Sequence, residues 1–430
     1  MKIAISGVSG FIGKSLASYL AERNCQTVPL MRSLFKESSF SQLTDALEGC
    51  DVLINLAGAP ISRRWTLQYK QKMYRSRVEV TSRLVAALKT LRRKPRLMIS
   101  VSAVGYYPSE GEYDEYHTVV ADGFLASLCR DWEAAALECP ADVRLVIARL
   151  GVVLSPAGGA MQEMVAPISY TKVSAILGSG RQPFPWIAIQ DVCRAFFFFI
   201  GHPEARGVFN LVSPQQISQK QLASALAKSC HAWMTLHVPA IVFRGIFGER
   251  ASALLNGQSV YPLRLLEAGF EFSVPTIEHL LGLPDVRTVA SLDINRYMGL
   301  WYEIARYENS FECGMTRVTA TYTLSPDGKI RVENAGYKNG VRKHVVGHAY
   351  CPDAKEPGKL KVSFFLWFYS DYYVLELDKE NYSYALVGSS SDKYLWILGR
   401  TPSLPRTVMD KLLSAARNRG YDIGRMFFLS

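Results

Sequence analysis

The segment "KIAISGVSGFIGKSLASYLAERN", residues 2–24, constrains the fold more than any other stretch of the chain. "KIAIS" is a short apolar run with β-branched residues, the pattern of a parallel strand buried on both faces. Gly7, Gly10 and Gly13 follow at G-x-x-G-x-x-G spacing, and "IGKSLASYLAERN" then has helical periodicity. The three glycines serve different needs, namely a tight turn, a close approach of backbone to pyrophosphate, and close packing of helix on strand. The helix N-terminus offers free amides and the positive end of its dipole to phosphate. Strand, glycines and helix in this order predict dinucleotide binding, with Gly7, Ser9, Gly10, Phe11, Ile12 and Gly13 in the cradle.

The next strand, "TVPLM", runs into Arg32 and Ser33. An acid at this distance from the glycines would bind the ribose 2′-hydroxyl and repel a 2′-phosphate. Arginine and serine can instead bind that phosphate, so the expected cofactor is NADP(H). "DVLINLAG" ends in Leu56, Ala57 and Gly58, the last two small enough for backbone to approach the cofactor. "RLMISVSAVGYY" is a further buried strand, leading through Ser100 and Ser102 to Tyr106 and Tyr107, and "RLVIARLGVVLSP" is another. Strands alternating with helices predict an open, doubly wound α/β sheet.

At 430 residues the chain exceeds one typical core, so two or more domains are expected. Apolar residues at 49% and charged residues at 20% fit a soluble globular protein. The net charge of +11 is shared: 29 Lys/Arg face 22 Asp/Glu up to Leu283, and 19 face 15 from Ser291 on. Residues 63–96 carry twelve basic residues and one acid, Glu79. Yet Val78, Val80, Leu84, Val85 and Leu88 recur at helical spacing, which predicts a half-buried helix and no nucleic-acid partner. The eight cysteines form no CxxC and no zinc spacing, so reduced thiols and no metal site are expected, with a Cys313–Cys351 disulfide left open. "AFFFFI" is far shorter than the roughly 20 residues of a membrane span. Lys2 leads straight into a strand, and a cytoplasmic chain with no membrane segment is expected.

Residues 1–283 resemble the extended, epimerase-like short-chain dehydrogenase/reductase superfamily. Within it they are similar to an uncharacterised subfamily of NADP-dependent, sugar-nucleotide-epimerase-like oxidoreductases. The phrases that carry the likeness include "GVSGFIG", "INLAGAPI", "SRVEVTSRLV", "SVSAVGYY", "RLGVVLSPAGGAM", "GSGRQPFPWIAIQDV" and "LNGQSVYPLRLLEAGFEFSVPTIEHLL". The resemblance implies a Rossmann-type sheet with a small substrate subdomain at about residues 155–283. It also implies chemistry on a small-molecule substrate by a tyrosine acid/base, a lysine four residues later and an upstream serine. Ser102 matches the serine, but the helix "FLASLCRDWEAAA" has Leu125 and Cys129 where the tyrosine and lysine belong. Tyr106 or Tyr107 is the expected substitute. Ala188 stands where the subfamily usually has histidine, and Arg181, Gln182 and Trp186 are the candidate substrate contacts. The reading that follows is an NADP(H)-dependent reductase or epimerase-like enzyme; the alternative is a non-catalytic NADP(H) sensor.

Proline and charge replace helical periodicity at about 284–290, the expected linker. Short alternating strands with turns such as "SPDGK" and "KNG" then predict an antiparallel up-and-down barrel, closed outside by the amphipathic helix "PRTVMDKLLSAARNRG". Residues 291–430 resemble bacterial lipocalins related to apolipoprotein D. The likeness rests on Gly299 and Trp301 in "GLWYEIARY", Asp371 and Tyr372 after Ser370 in the middle motif, and Arg400 in "YLWILGR". It implies an eight-stranded barrel with a structural lid of Arg400 on Trp301, and an apolar ligand such as a fatty acid or lysophospholipid. "FFLWFYSDYY" is expected to place alternate rings inside, with Trp367 as the fluorescence reporter.

Overall fold

Six parallel strands form the main sheet of the N-terminal part: β1 (Lys2–Ser6), β2 (Gln26–Leu30), β3 (Val52–Asn55), β4 (Leu97–Ala103), β5 (Arg144–Leu150) and β6 (Gly207–Leu211). Their order is β6-β5-β4-β3-β1-β2. The chain reverses direction between β2 and β3, which flank β1 on opposite sides, and so opens a crevice at the carboxyl end of β1. The strands are apolar at consecutive positions because both faces are covered. Ile3, Ile5, Ile54 and Ile99 pack with Leu16 and Leu20 of helix α1 (Phe11–Ala21) and with Val192, Phe196 and Phe199 of the helix Ile189–Gly201. Ala4, Leu53 and Met98 pack on the other face with Leu84, Val85 and Leu88 of helix α2 (Val80–Thr90). The basic stretch is therefore a helix with one buried face, and the phenylalanine run lies on a core helix. Among the described residues no helix is long and apolar enough to cross a membrane.

The computed structural model describes residues 1–309, 312–365 and 368–429; Trp367 lies outside them. Two compact units divide the chain, Met1–Leu281 and Gly282–Ser430. In the second half of the first unit, Met234–Val238 pairs with Val173–Leu177, and Trp186–Ala188 pairs with Val152–Ser155.

The second unit is a closed antiparallel barrel of eight strands: β7 (Gly299–Tyr307), β8 (Met315–Leu324), β9 (Ile330–Lys338), β10 (Val341–Tyr350), β11 (Lys359–Phe365), β12 (Phe368–Leu377), β13 (Tyr384–Gly388) and β14 (Leu395–Gly399). The first strand pairs with both the second and the last, which closes the ring. A short β15 (Met426–Phe428) adds to β7. Asn339 and Gly340, with φ of 52° and 76°, form the two-residue turn that "KNG" predicts. Helix α3 (Arg406–Asn418) covers the outside with Leu412 and Ala416 against Ile304, Leu386 and Ile397.

The segment 284–290, the expected linker, is hydrogen-bonded to the barrel. Val289 donates its amide to Val374 O at 3.0 Å, and Arg419 Nη1 donates to the carbonyls of Asp285 and Arg287 at 3.1 and 2.8 Å. Pro284 and the charged Asp285 and Arg287 lie in an extended strap whose backbone groups are hydrogen-bonded to the barrel. Cys313 and Cys351 are separate, exposed thiols.

One end of the barrel is shut by a single arginine. The Arg400 Cζ lies 3.9 Å from the ring centroid of fully buried Trp301. Its guanidinium donates to Leu300 O at 2.9 Å, Arg296 O at 2.8 Å and Tyr382 O at 3.2 Å. Gly299 has φ of +96°, and a Cβ there would sit 3.3 Å from Arg400 Nη1, so Gly, Trp and Arg form one packing unit. The segment 282–430 is expected to fold alone. Arg400→Ala should lower its urea-unfolding free energy by about 1–3 kcal/mol, through the lost cation–π contact and unpaired carbonyls. An unchanged unfolding midpoint would count against the lid.

Candidate functional site

The glycine turn after β1 is built by close approach. Gly7 has φ of +72°, and a Cβ there would lie 2.6 Å from Leu56 O; one on Gly13 would lie 2.6 Å from Val8 Cα. Gly10 is the N-cap of α1 and brings no side-chain cap, so the first amides of the helix face the crevice uncapped. Ser9 is exposed; Phe11 and Ile12 are partly buried. The Phe11 ring lies against the Gly158–Gly159 turn. On one side of the cradle, Arg32 and Ser33 start an exposed helical turn directly after β2. On the other side lies the loop of Leu56, Ala57 and Gly58. A polar pin holds that loop: Ser6 Oγ donates to Asn55 Oδ1 at 2.6 Å, and Asn55 Nδ2 donates to Thr81 Oγ1 at 2.8 Å.

Ser102 and Tyr107 lie in a buried chain of polar groups. Ser102 Oγ donates to Glu133 Oε1 at 2.6 Å. Arg149 grips Glu133 with two bonds, Nε to Oε1 at 2.8 Å and Nη2 to Oε2 at 2.7 Å, and donates through Nη1 to the Tyr107 hydroxyl at 2.7 Å. Tyr107 in turn donates to Asn210 Oδ1 or Asp114 O, at 3.1 and 3.0 Å. Ser102 is 1% exposed and Tyr107 0%, and burial pushes the Tyr107 phenol above its ordinary pKa. Of the two tyrosines expected near substrate, Tyr107 is thus enclosed, because its hydroxyl is drawn inward as a partner for the buried Arg149 of β5. Tyr106 is half-buried, with its ring 3.6 Å above the Arg149 Cζ. Leu125 and Cys129 lie on the helix Phe124–Leu137; burial and then the Glu133 charge push the Cys129 thiol up to about 12, so it is neutral.

The residues expected at the substrate wall separate. Arg181 is exposed. Gln182 Nε2 donates to Leu177 O at 2.8 Å, which closes the local turn. Trp186 is 1% exposed and packs in a core with Leu154, Phe184 and Ile277; it is a core residue, not an open contact. Asp191, near Ala188, is fully buried and accepts the Ser273 and Val274 amides at 2.7 and 2.9 Å.

Residues 3–212 match the model of the NAD dependent epimerase/dehydratase family, and residues 238–282 match a domain of unknown function. The chain is 32% identical over 299 residues to the epimerase family protein SDR39U1 homolog, chloroplastic, of Arabidopsis thaliana, covering 65% of this chain and 86% of that protein. The chain belongs to the epimerase family. An epimerase family protein of Staphylococcus aureus is 32% identical over 290 residues, 64% of this chain and 96% of that one. Among solved structures, human epimerase family protein SDR39U1 (isoform 2) with NADPH is 32% identical, with a TM-score of 0.61 over 65% of this chain and 98% of that chain. The nucleoside-diphosphate sugar epimerase of Corynebacterium glutamicum is 26% identical, with a TM-score of 0.53 over 65% of this chain and 58% of that chain. Residues 292–429 match the model of a lipocalin-like domain, so this member of the epimerase family carries a lipocalin barrel C-terminal to its Rossmann-type unit.

The barrel lumen is crossed by side chains. Tyr322 on β8 donates its hydroxyl to that of Tyr372 on β12 at 3.0 Å, although four strand steps separate β8 and β12 in either direction round the ring. Tyr297 bonds the same Tyr372 hydroxyl at 2.8 Å. Asp371, beside it, faces outward to Lys361 at 2.7 Å. On β7, Glu303 lies on the Trp301 side of the strand, while Tyr302 and Ile304 meet the outer helix. Glu303 accepts from Arg306 Nη1 at 2.8 Å, and burial, then the charge of Glu312, push its carboxyl up to about 8. The folded state therefore keeps a proton that the unfolded chain loses near its ordinary value of about 4.3. Stability should be full below about pH 4.3 as regards this group and fall as pH rises towards 8. Urea midpoints of the barrel segment should decline across that window, and Glu303→Gln should flatten the decline; a flat wild-type profile would show that Glu303 ionises normally.

Proposed function

We propose that the first unit is an NADP(H)-dependent oxidoreductase or epimerase-like enzyme acting on a small-molecule substrate, and that the barrel holds an apolar ligand, a fatty acid or lysophospholipid. The observation that carries the first part is the cradle, where Gly7 and Gly13 leave room that a Cβ would fill and the α1 amides stand uncapped. The human relative's structure with NADPH supports the same choice of cofactor. The amides of Gly10 to Gly13 would hold the pyrophosphate, Leu56 to Gly58 would face the cofactor with backbone, and Arg32 with Ser33 would bind the 2′-phosphate. Bound there, the nicotinamide supplies hydride exchange. The chain's own part is orientation and proton supply. Ser102 orients through Glu133, and Tyr106, whose hydroxyl makes one long bond to Thr118 O at 3.5 Å, is the proton donor, since the hydroxyl of Tyr107 is engaged by Asn210 or Asp114.

A second reading, an NADP(H) sensor without turnover, has a specific observation in its favour. Leu125 and neutral Cys129 bring no acid, base or cation, while Ser102 is enclosed.

Two measurements test these readings. NADPH should bind wild type more tightly than NADH, and Arg32→Ala should remove about 1–3 kcal/mol of that preference, the value of a charge-assisted phosphate contact; equal wild-type affinities would sink the assignment. In a panel of carbonyl compounds and sugar nucleotides, Tyr106→Phe should lower NADPH turnover by about 10²-fold or more with cofactor affinity nearly unchanged. NADPH binding with no turnover across the panel would decide for the sensor.

A further inference from the structure

The ring of barrel strands has a gap in its pairing along β10. On one side β10 pairs with β9 from Val341 against Lys338 to Ala349 against Ile330. On the other side, among the described residues, β11 meets it only at His348, Ala349 and Tyr350. A Cβ on Gly347 would run into the Ser363 carbonyl, so glycine is required where β11 closes in, and the strands part just beyond it. The half of β10 from Val341 to Val346 is therefore a free edge. Alternate residues turn their N–H and C=O groups away from β9 there, with no strand of the barrel to receive them. Exposure agrees. A strand in a closed wall buries alternate residues, as Gly347 and Ala349 are buried, whereas every residue from Val341 to Val346 is exposed.

The side chains of this edge say what it can accept. Ala349 lies in the barrel core with Ile330 and Leu360, so by period two Val341, Lys343 and Val345 take the lumen-side face and Arg342, His344 and Val346 the outer one. From Lys338 to Tyr350 the sequence holds three Lys/Arg, two His and no acid. Glu333, the one acid of β9, is paired with Arg331 at 2.9 Å. Among the described residues Lys338, Arg342 and Lys343 make no ion pair. Charge of one sign blunts an edge against its own kind. Two copies of this edge, paired antiparallel, would set the cations of one against those of the other, and like charges opposite each other destabilise a strand pair. A lipid surface would meet the charges but leave the amides and carbonyls of the edge unpaired. An acidic strand satisfies both.

We infer that the free half of β10 is a docking edge for an extended acidic segment of a partner protein, which adds to the barrel as one more strand. The partner's backbone takes the unpaired amides and carbonyls, and its acidic side chains pair with Arg342 on one face and Lys343 on the other. The test titrates the full chain, by fluorescence anisotropy, with a labelled peptide of glutamate and valine of about eight residues, an ordinary strand length. A second peptide has the same sequence with N-methyl groups on its central neighbouring residues, which keeps the charges and blocks hydrogen bonding on both of its edges. The first should bind, and the second should bind about tenfold or more weakly. The first should also slow hydrogen exchange of the Val341 to Val346 amides by about fivefold or more. Arg342→Glu with Lys343→Glu should lose the glutamate peptide and gain a lysine–valine one, which wild type should refuse. The comparison of the two glutamate peptides needs only wild type. Equal binding of both, or of neither, overturns the inference. A dimer in sedimentation that the double charge reversal abolishes would give the edge to a second copy, and binding to phosphatidylserine vesicles without peptide binding would give it to a lipid surface; either result overturns it as well.

Discussion

The first unit depends on the buried pairing of Arg149 with Glu133. Arg149 comes from the middle of the sheet and Glu133 from a covering helix, at 4% and 7% exposure. Either charge alone in that position would cost several kcal/mol, so the pair fixes how strand and helix dock. The same pair fixes the chemistry at the end of β4. Its remaining bonds take the Ser102 hydroxyl and the Tyr107 phenol, the two groups that a reaction at this edge would otherwise call upon. Structure and reactivity are traded at one place. Tyr106 lies on the Arg149 cation outside that network, with its hydroxyl held only by a long bond to Thr118 O at 3.5 Å.

Much of this architecture is legible in the sequence because it is written in patterns that backbone geometry enforces. Gly7, Gly10 and Gly13 announce a turn that admits no side chain. Consecutive apolar residues announce strands covered on both faces. The barrel is legible for the same reason, through period-two alternation and the Asn339–Gly340 turn. What stays illegible is which polar side chain finds which partner. Trp186 and Gln182 share a glycine-rich phrase that suggests a ligand wall, yet the fold turns the indole into a core and the amide onto a carbonyl of its own turn. The pairing of Glu133 with Arg149 is missed by pattern alone, although a signal exists. Arg149, one residue from the end of "RLVIARL", a strand apolar on both faces, demands a buried acid somewhere in the chain.

The barrel solves a packing problem at each end differently. At the closed end Arg400 caps carbonyls and lies on Trp301, so a charge is placed where partial charges and a π face satisfy it. Further in, Tyr297, Tyr322 and Tyr372 share hydroxyl bonds across the lumen, and burial raises all three phenols, so they are neutral donors and acceptors. The lumen that begins beside them is therefore not a plain apolar slot. Glu303 and Arg306 add a carboxyl and a buried guanidinium to its wall. A ligand entering it must satisfy those groups as well as bury its chain.

The two units meet the same physical demand, an arginine held by carbonyls near an aromatic ring, with opposite outcomes. Arg400 is satisfied by several carbonyls and a π face and closes a wall. Arg77 touches two carbonyls, one of them at 3.4 Å, and stands at the mouth of the crevice with Gly58 cleared beneath it. The difference lies in what surrounds them. Arg400 has its acceptors supplied by the chain it locks, whereas Arg77 reaches the carbonyls of Ala59 and Met73 from a π-helical turn. By resemblance, the superfamily brings a cation to this region on the helix where Cys129 stands. Cys129 is neutral, and Arg77 reaches the same neighbourhood from a different helix. Loss of the lysine therefore does not empty that neighbourhood of positive charge.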